Sequence, residues 1–260
     1  MLKNESMKAL VILPTFNEAK TLPKILSKLS FYGWLDTLVI DDNSSDGTAE
    51  IVENWQGNSD KFHIIKRPSK LGLGSAYVTG FKWGLERGYD YIYEMDADLS
   101  HNPDALPWFI KEMDNGGYDL MIGSRYTNGT ISVVGWDFRR LLLSKFGNLY
   151  ASSILGLKLT DLTSGFRCYK RQSLQAIDLD KIYSNGYAFQ IEMAFLIKRA
   201  GFRVGEMPIT FYERAFGSSK MSKKIVREAI ILPWRLRMIG IKNFASKIFF
   251  KKKYVKEISH

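Results

Sequence analysis

Apolar positions along the chain follow two alternating periods. Short runs at 9–13, 37–40, 62–65, 91–95 and 120–122 are rich in β-branched and aromatic residues and bounded by turn-forming or charged ones, so they read as strands. Between them, apolar residues recur at three- and four-residue spacing: Leu22, Ile25, Leu26 and Leu29, then Ala49 and Val52, then Ala76, Phe81 and Leu85, then Leu106, Phe109, Ile110 and Met113. That period is helical. Asp46 and Thr48 are placed to start the second helix, and Asn102-Pro103-Asp104 the fourth. Strands alternating with helices predict an α/β domain built on a mainly parallel sheet with helices on both faces.

Beyond Gly123 the alternation weakens. A polar, mobile-looking stretch at 126–136 precedes a long helix at 140–157, an apolar helix at 189–199, and strands at 202–208 and 209–212. Gly217-Ser218-Ser219 reads as a hinge, which divides the chain into a domain at 1–222 and a tail at 223–260.

Charge sharpens that division. The last 47 residues hold thirteen Lys or Arg and two Glu, whereas the rest hold 24 basic and 25 acidic residues. Ile225, Ala229, Leu232, Leu236 and Ile239 recur at helical spacing beside Lys224, Arg227, Arg235, Arg237 and Lys242, with Pro233 set to kink or split the helix. The pattern predicts a tail whose apolar stripe lies on an anionic membrane surface without spanning it. Nowhere do eighteen apolar residues run uninterrupted by charge, so no transmembrane helix is expected, and the N-terminus shows no secretory signal. Nucleic acid is not an expected partner, because such binders usually spread basic residues over the folded domain among exposed aromatics. With 45% apolar and 25% charged residues the chain can bury a core, which excludes global disorder. Cys168 is the only cysteine, so an internal disulfide is impossible and a tetrahedral Cys/His zinc site is not expected.

In open α/β sheets ligands bind beyond the carboxyl ends of strands. Three polar clusters fall there: Pro14-Thr15-Phe16-Asn17-Glu18, Asp41-Asp42 and Asp96-Ala97-Asp98. Together they would crowd five carboxylates around one crevice, which calls for a cation or donor-rich ligand groups. Carboxylates at i and i+2 can lean toward one Mg²⁺ or Mn²⁺ ion whose shell is completed by water and phosphate oxygens. His101 reads as a turn or cap residue, Cys168 as core, and Trp83, Trp108, Phe109, Met193, Phe189 and Phe195 as packing residues.

These clusters, with Asp41 to Thr48, Leu71-Gly72-Leu73-Gly74 and Gly123-Ser124-Arg125-Tyr126, resemble the family 2 glycosyltransferases of GT-A (Rossmann-like) fold. Gly135-Trp136-Asp137, the stretch Asp161 to Arg167 and the stretch Arg214 to Met221 narrow the resemblance to the polyprenyl-phosphate (dolichyl-phosphate) mannosyltransferases. The resemblance implies inverting transfer of mannose from GDP-mannose to a polyprenyl monophosphate, on the cytoplasmic side of a membrane and peripheral to it. A small membrane subunit is a further candidate partner. A related transferase using UDP-glucose is the alternative.

The resemblance also implies roles. Pro14, Phe16, Glu18, Ile40 and Asp42 would hold the nucleoside of the donor. Asp96, Ala97 and Asp98 would lie at its diphosphate, with both carboxylates on Mg²⁺ or Mn²⁺. Arg125, Arg214 and Lys220 would meet sugar or phosphate groups, with Asp98 and Arg125 as the catalytic pair. Arg139, Arg140 and Ser144, just after the 126–136 stretch, are the candidates for gripping the acceptor phosphate.

Overall fold

The computed structural model describes residues 7–182, 184–213 and 230–238. The strands are β1 (Ala9–Thr15), β2 (Leu35–Asp41), β3 (Phe62–Lys66), β4 (Tyr91–Glu94), β5 (Leu120–Ser124), β6 (Val133–Val134), β7 (Arg167–Lys170), β8 (Val204–Pro208) and β9 (Phe211–Tyr212). The helices are α1 (Leu22–Leu29), α2 (Thr48–Asn58), α3 (Leu73–Glu86), α4 (Leu106–Gly116), α5 (Phe138–Leu155), α6 (Arg171–Gln175) and α7 (Gly186–Arg199), followed by α8 at 230–238.

Seven strands form one sheet in the order β3-β2-β1-β4-β7-β5-β8. All its pairings are parallel except those of β7, which runs antiparallel between β4 and β5. The alternation of β1 shows why both faces must be covered. Leu10 and Ile12 enter one core with Tyr77, Phe81, Tyr169 and Phe189, while Ala9, Val11 and Leu13 enter the other with Leu22, Ile25, Phe109 and Cys168. Helix α3 lies close on the sheet because a Cβ on Gly80 would stand 2.7 Å from the Ile12 side chain. This is the mainly parallel GT-A-like architecture, with one reversed strand that the periodicity did not reveal.

Several expectations need correction. Asn102 caps a short 3₁₀ turn at Pro103–Ala105 rather than α4 itself, accepting from the Asp104 N–H. The cap of α2 is Gly47, and Asp46 accepts from the Thr48 N–H and hydroxyl instead. Trp108 is exposed, whereas Phe109 on the same helix is fully buried. The 126–136 stretch is tied down: Ser132 N–H donates to Arg125 O, and β6 pairs with β9.

Two residues of the tail's predicted apolar stripe, Leu232 and Leu236, face the other way, and Ile225, Ala229 and Ile239 lie outside the described residues. Leu232 and Leu236 are buried in the domain core beside Ala151 and Leu155, so they cannot enter a membrane. Trp234 Nε1 donates to Tyr150 Oη, which donates to Ile230 O, and these bonds fix α8 on α5. The helix runs through Pro233 without a break. Arg214, Lys220, the 217–219 hinge and the rest of the tail lie outside the described residues.

Candidate active site

The loop after β4 is held in an unusual backbone shape. Leu99 has φ +69°, a left-handed conformation that a branched side chain adopts only at a cost of about 1–3 kcal/mol. The Ser100 N–H donates to Asp98 Oδ1 at 3.0 Å, and Thr21 Oγ1 donates to Ala97 O at 2.6 Å. His101 is buried, stacks on Phe166 at 4.8 Å, and accepts the Asp96 N–H on Nδ1 at 3.1 Å. Burial holds its pKa below the ordinary value, so it is a neutral imidazole with its δ nitrogen already engaged. It positions the loop, as the turn reading expected.

Asp96 and Asp98 line a cleft of about 60 Å³. Arg125 enters it from just past the end of β5, Trp136 from the loop before α5, Arg140 from the first turn of α5, Thr163, Ser164 and Gly165 from the turn before β7, and Phe211 from β9. Arg125 is gripped by a buried carboxylate, since its Nε and Nη2 donate to the two Asp161 oxygens at 2.6 Å each. Burial opposes both charges, yet the pair prevails: Arg125 is raised and Asp161 lowered from their ordinary pKa values. Aromatic rings enclose the guanidinium, with Tyr126, Trp136 and Phe211 centred 5.2–5.5 Å away. Arg140 lies 4.2 Å over Trp136 and pairs with Glu213 at 3.1 Å.

The balance of charge follows from these pairs. Asp161 answers Arg125 and Glu213 answers Arg140, and Asp96 and Asp98 face the same cleft. Two carboxylates that face one cleft offer hard oxygens of the kind that suit a divalent cation completed by phosphate oxygens and water. Among the described residues no group of three or more His, Cys, Asp or Glu is arranged to hold a metal, so such an ion would depend on its substrate for further ligands.

The expected crowding of five carboxylates is relieved locally. Asp41 is buried and accepts from Thr15 Oγ1, Ser44 Oγ and Ser44 N–H. Asp42 pairs with buried Arg67 and accepts from the Leu71 and Gly72 N–H groups, so it anchors the loop leading into α3. Ile40 is fully buried in the core, which leaves only its backbone for a ligand. Pro14, Phe16 and Glu18 remain partly exposed at the end of β1, and Lys70 stands 4.0 Å over the Phe16 ring.

The three acceptor candidates separate. Arg140 lines the cleft, Ser144 lies one turn further along α5 and outside the lining, where it accepts a 2.8 Å bond from Tyr126 Oη, and Arg139 is exposed and also outside the lining.

Residues 10–178 match the domain described as glycosyl transferase family 2. The chain belongs to that family. This glycosyltransferase is 46% identical over 226 residues to an undecaprenyl-phosphate mannosyltransferase of Micrococcus luteus, a match covering 86% of this chain and 92% of that one. It is 44% identical over 236 residues to a polyprenol monophosphomannose synthase of Mycolicibacterium smegmatis, covering 89% and 88%. The fold matches that of glucosyl-3-phosphoglycerate synthase from Mycobacterium tuberculosis, solved with Mn²⁺, UDP-glucose and phosphoglyceric acid. That match has a TM-score of 0.63 at 20% identity and covers 88% of this chain and 80% of the other.

Sequence reasoning did not foresee the roles of several glycosyltransferase residues beneath the cleft. Glu94 is fully buried, accepts from Gln190 Nε2 at 2.6 Å and Tyr169 Oη at 2.9 Å, and is pushed by burial up to about 7 despite nearby Arg167. Arg167 spends its donors on the carbonyls of Leu162, Ser164 and Gln190, which fixes the 162–165 turn. A charge inside an otherwise apolar strand was the available signal at Glu94.

Proposed function

We propose that this enzyme transfers mannose from GDP-mannose to a polyprenyl (dolichyl) monophosphate, inverting the anomeric centre to give a β-linked mannosyl phosphate and GDP. The observation that carries this reading is the 44–46% identity to two named polyprenyl-phosphate mannosyl enzymes, held over about nine-tenths of each. The cleft supports it. Asp96 and Asp98 would hold Mg²⁺ or Mn²⁺, which neutralises charge developing on a diphosphate leaving group.

The protein's part is positioning. Pro14, Phe16, Glu18 and the backbone at Ile40 receive the nucleoside, with Asp42 shaping the loop opposite. Ala97, its carbonyl held by Thr21, sets the spacing of the two carboxylates. Arg125, locked by Asp161, presents a fixed cationic edge to sugar or phosphate oxygens, and Arg214 and Lys220 add cations to the donor. Arg140 and Ser144, with Arg139 outside them, orient the acceptor. A phosphate monoester has a second pKa of about 6, so it arrives largely ionised and needs no strong general base.

The enzyme works peripherally on the cytoplasmic side of a membrane, where such an acceptor presents its phosphate, and a small membrane subunit is a candidate partner. Among the described residues no helix is long and apolar enough to cross a membrane.

Incubation with labelled GDP-mannose, labelled UDP-glucose and a short polyprenyl phosphate tests the reading. Label should enter the lipid phase from GDP-mannose in the presence of divalent cation. Transfer from UDP-glucose alone would favour the second reading, a glucosyl enzyme, which the UDP-glucose complex of the fold relative supports.

A further inference from the structure

Helix α5 buries an amide. Asn148, in its second half, is 1% exposed, and a buried amide costs stability unless its donors and its acceptor find partners. Those of Asn148 do. Its Nδ2 donates to Ser144 O at 3.0 Å and to Thr163 Oγ1 at 3.2 Å, and its Oδ1 accepts the Thr163 N–H at 3.1 Å. The bond to Ser144 O, four residues back in the same helix, holds the side chain in place. The Thr163 N–H sets which way the amide faces, because a backbone N–H only donates.

Thr163 is the junction. Its hydroxyl has one proton and two lone pairs. It accepts from Asn148 Nδ2 and, at 2.8 Å, from Arg125 Nη2, and its proton goes to Asp161 Oδ1 at 3.3 Å. Arg125 Nη2 also donates to Asp161 Oδ1, and Nε to Asp161 Oδ2. Three of the five guanidinium donors are thereby engaged, which leaves the two on Nη1 for a ligand.

On the helix, Arg140, Ser144 and Asn148 follow at four-residue spacing along one row. Arg140 reaches the cleft, and Ser144 accepts from Tyr126, the neighbour of Arg125. Both guanidinium groups lie against the Trp136 ring, Arg125 at 5.2 Å and Arg140 at 4.2 Å. Two cations against one ring repel, so their separation has to be held from outside. Glu213 holds the tip of Arg140, and the path from Arg125 through Thr163 to Asn148 ties its helix to Arg125.

We propose that Asn148 is a positioning residue: it sets the register of α5 against Arg125, and with it the separation between the acceptor-side and donor-side cations. The inference rests on the proposed reaction, in which two phosphate-bearing substrates that repel each other must be brought into line.

Steady-state kinetics of the full chain, with GDP-mannose and a short polyprenyl phosphate varied in turn, tests it. Asn148→Ala should lower kcat by more than about tenfold and keep the KM for GDP-mannose within about threefold, the pattern of lost alignment rather than lost binding. Thr163→Val keeps the shape and the backbone N–H, removes the hydroxyl, and should give a similar loss. If both act through one path, N148A/T163V is little worse than either alone, whereas independent losses would multiply. Gly80→Ala, on α3 and outside the cleft lining, controls for stability: its Tm should fall while its kcat stays that of the parent. The inference is overturned if Asn148→Ala keeps the parent's kcat, if its whole loss lies in the KM for the donor, or if the double variant shows the product of the single losses. It is also overturned if Gly80→Ala loses as much kcat at a matched fall in Tm. Should Asn148→Ala fail to fold, Thr163→Val decides alone on the same kcat and KM criteria. The two proposals fail separately: a parent that transfers glucose from UDP-glucose and no mannose removes the proposed donor, and the same variants measured on that donor still decide the role of Asn148.

Discussion

Replacing Asp161 by Asn isolates the strongest electrostatic commitment in the site. The carboxylate accepts three bonds from Arg125, through Nε, Nη2 and the backbone N–H, and both side chains are almost wholly buried. Asparagine keeps one oxygen and loses the charge, which strands a guanidinium among Tyr126, Trp136 and Phe211. Breaking a buried pair from one side costs about 3–5 kcal/mol, far more than an exposed pair. At roughly 2 °C per kcal/mol for a domain of this size, the Tm should fall by about 6–10 °C. Differential scanning calorimetry at neutral pH measures it. The double variant R125L/D161L should recover part of that loss, because two apolar side chains replace two charges, while its transfer activity is abolished. A fall of less than about 2 °C in Asp161→Asn would refute the argument, since it would mean that water reaches the arginine and the pair is not desolvated.

Four further outcomes are expected. Asp98→Ala, and more mildly Asp96→Ala, should abolish transfer with the fold intact in far-ultraviolet circular dichroism, and full turnover of Asp98→Ala with chelator present would remove the metal assignment. Gly165→Ala should fold normally, because its Cβ would meet Asp96 Oδ1 at 3.7 Å and Gln190 Nε2 at 3.8 Å, yet slow turnover roughly tenfold by placing a methyl beside Asp96. Gly80→Ala should lower stability by about 1–3 kcal/mol in urea, since the added carbon overlaps Ile12. Burial raises the Glu94 carboxyl from 4.5 to about 7, so its stabilising effect is full below the lower value and lost as pH climbs through the higher. Parent stability should therefore drop by about 3 kcal/mol relative to Glu94→Gln between about pH 4 and about pH 8, and parallel curves for the two proteins would contradict that.

Much of the fold was legible because the first half of the chain obeys two clean periods. Each of the first five strands begins within two residues of its apolar run, as β3 does at Phe62. Capping was less legible, since Asp46 and Asn102 use the same short-range bonds to build turns that they would use to cap a helix. The paired carboxylates Asp96 and Asp98 announced the cleft, but their partners did not. Asp42 finds Arg67 across 25 residues, and Arg125 finds Asp161 across 36, distances at which spacing carries no signal. Leu232 and Leu236 misled for a physical reason: they have the spacing of an amphipathic face, and periodicity does not say whether a core or a bilayer covers it. Burial also shows what spacing hides in α5, whose inward residues Asn148, Ala151 and Ser152 are small or polar while Phe138, Phe146 and Leu149 face outward.

The backward strand β7 has a consequence for how the enzyme is made. Strands β4 and β5 share no ladder; each is hydrogen-bonded to β7 between them. When a ribosome has delivered the first 125 residues, the sheet can reach only from β3 to β4, with β5 unpaired and the β4 edge bare. Asp96 and Asp98 then belong to one half and Arg125 to another, with no strand spacing them. Residues 167–170 close the gap, so the distances between these cleft residues come into being in a late event of chain synthesis. The nascent chain carries an open edge until then, the condition under which strands pair with the wrong neighbour.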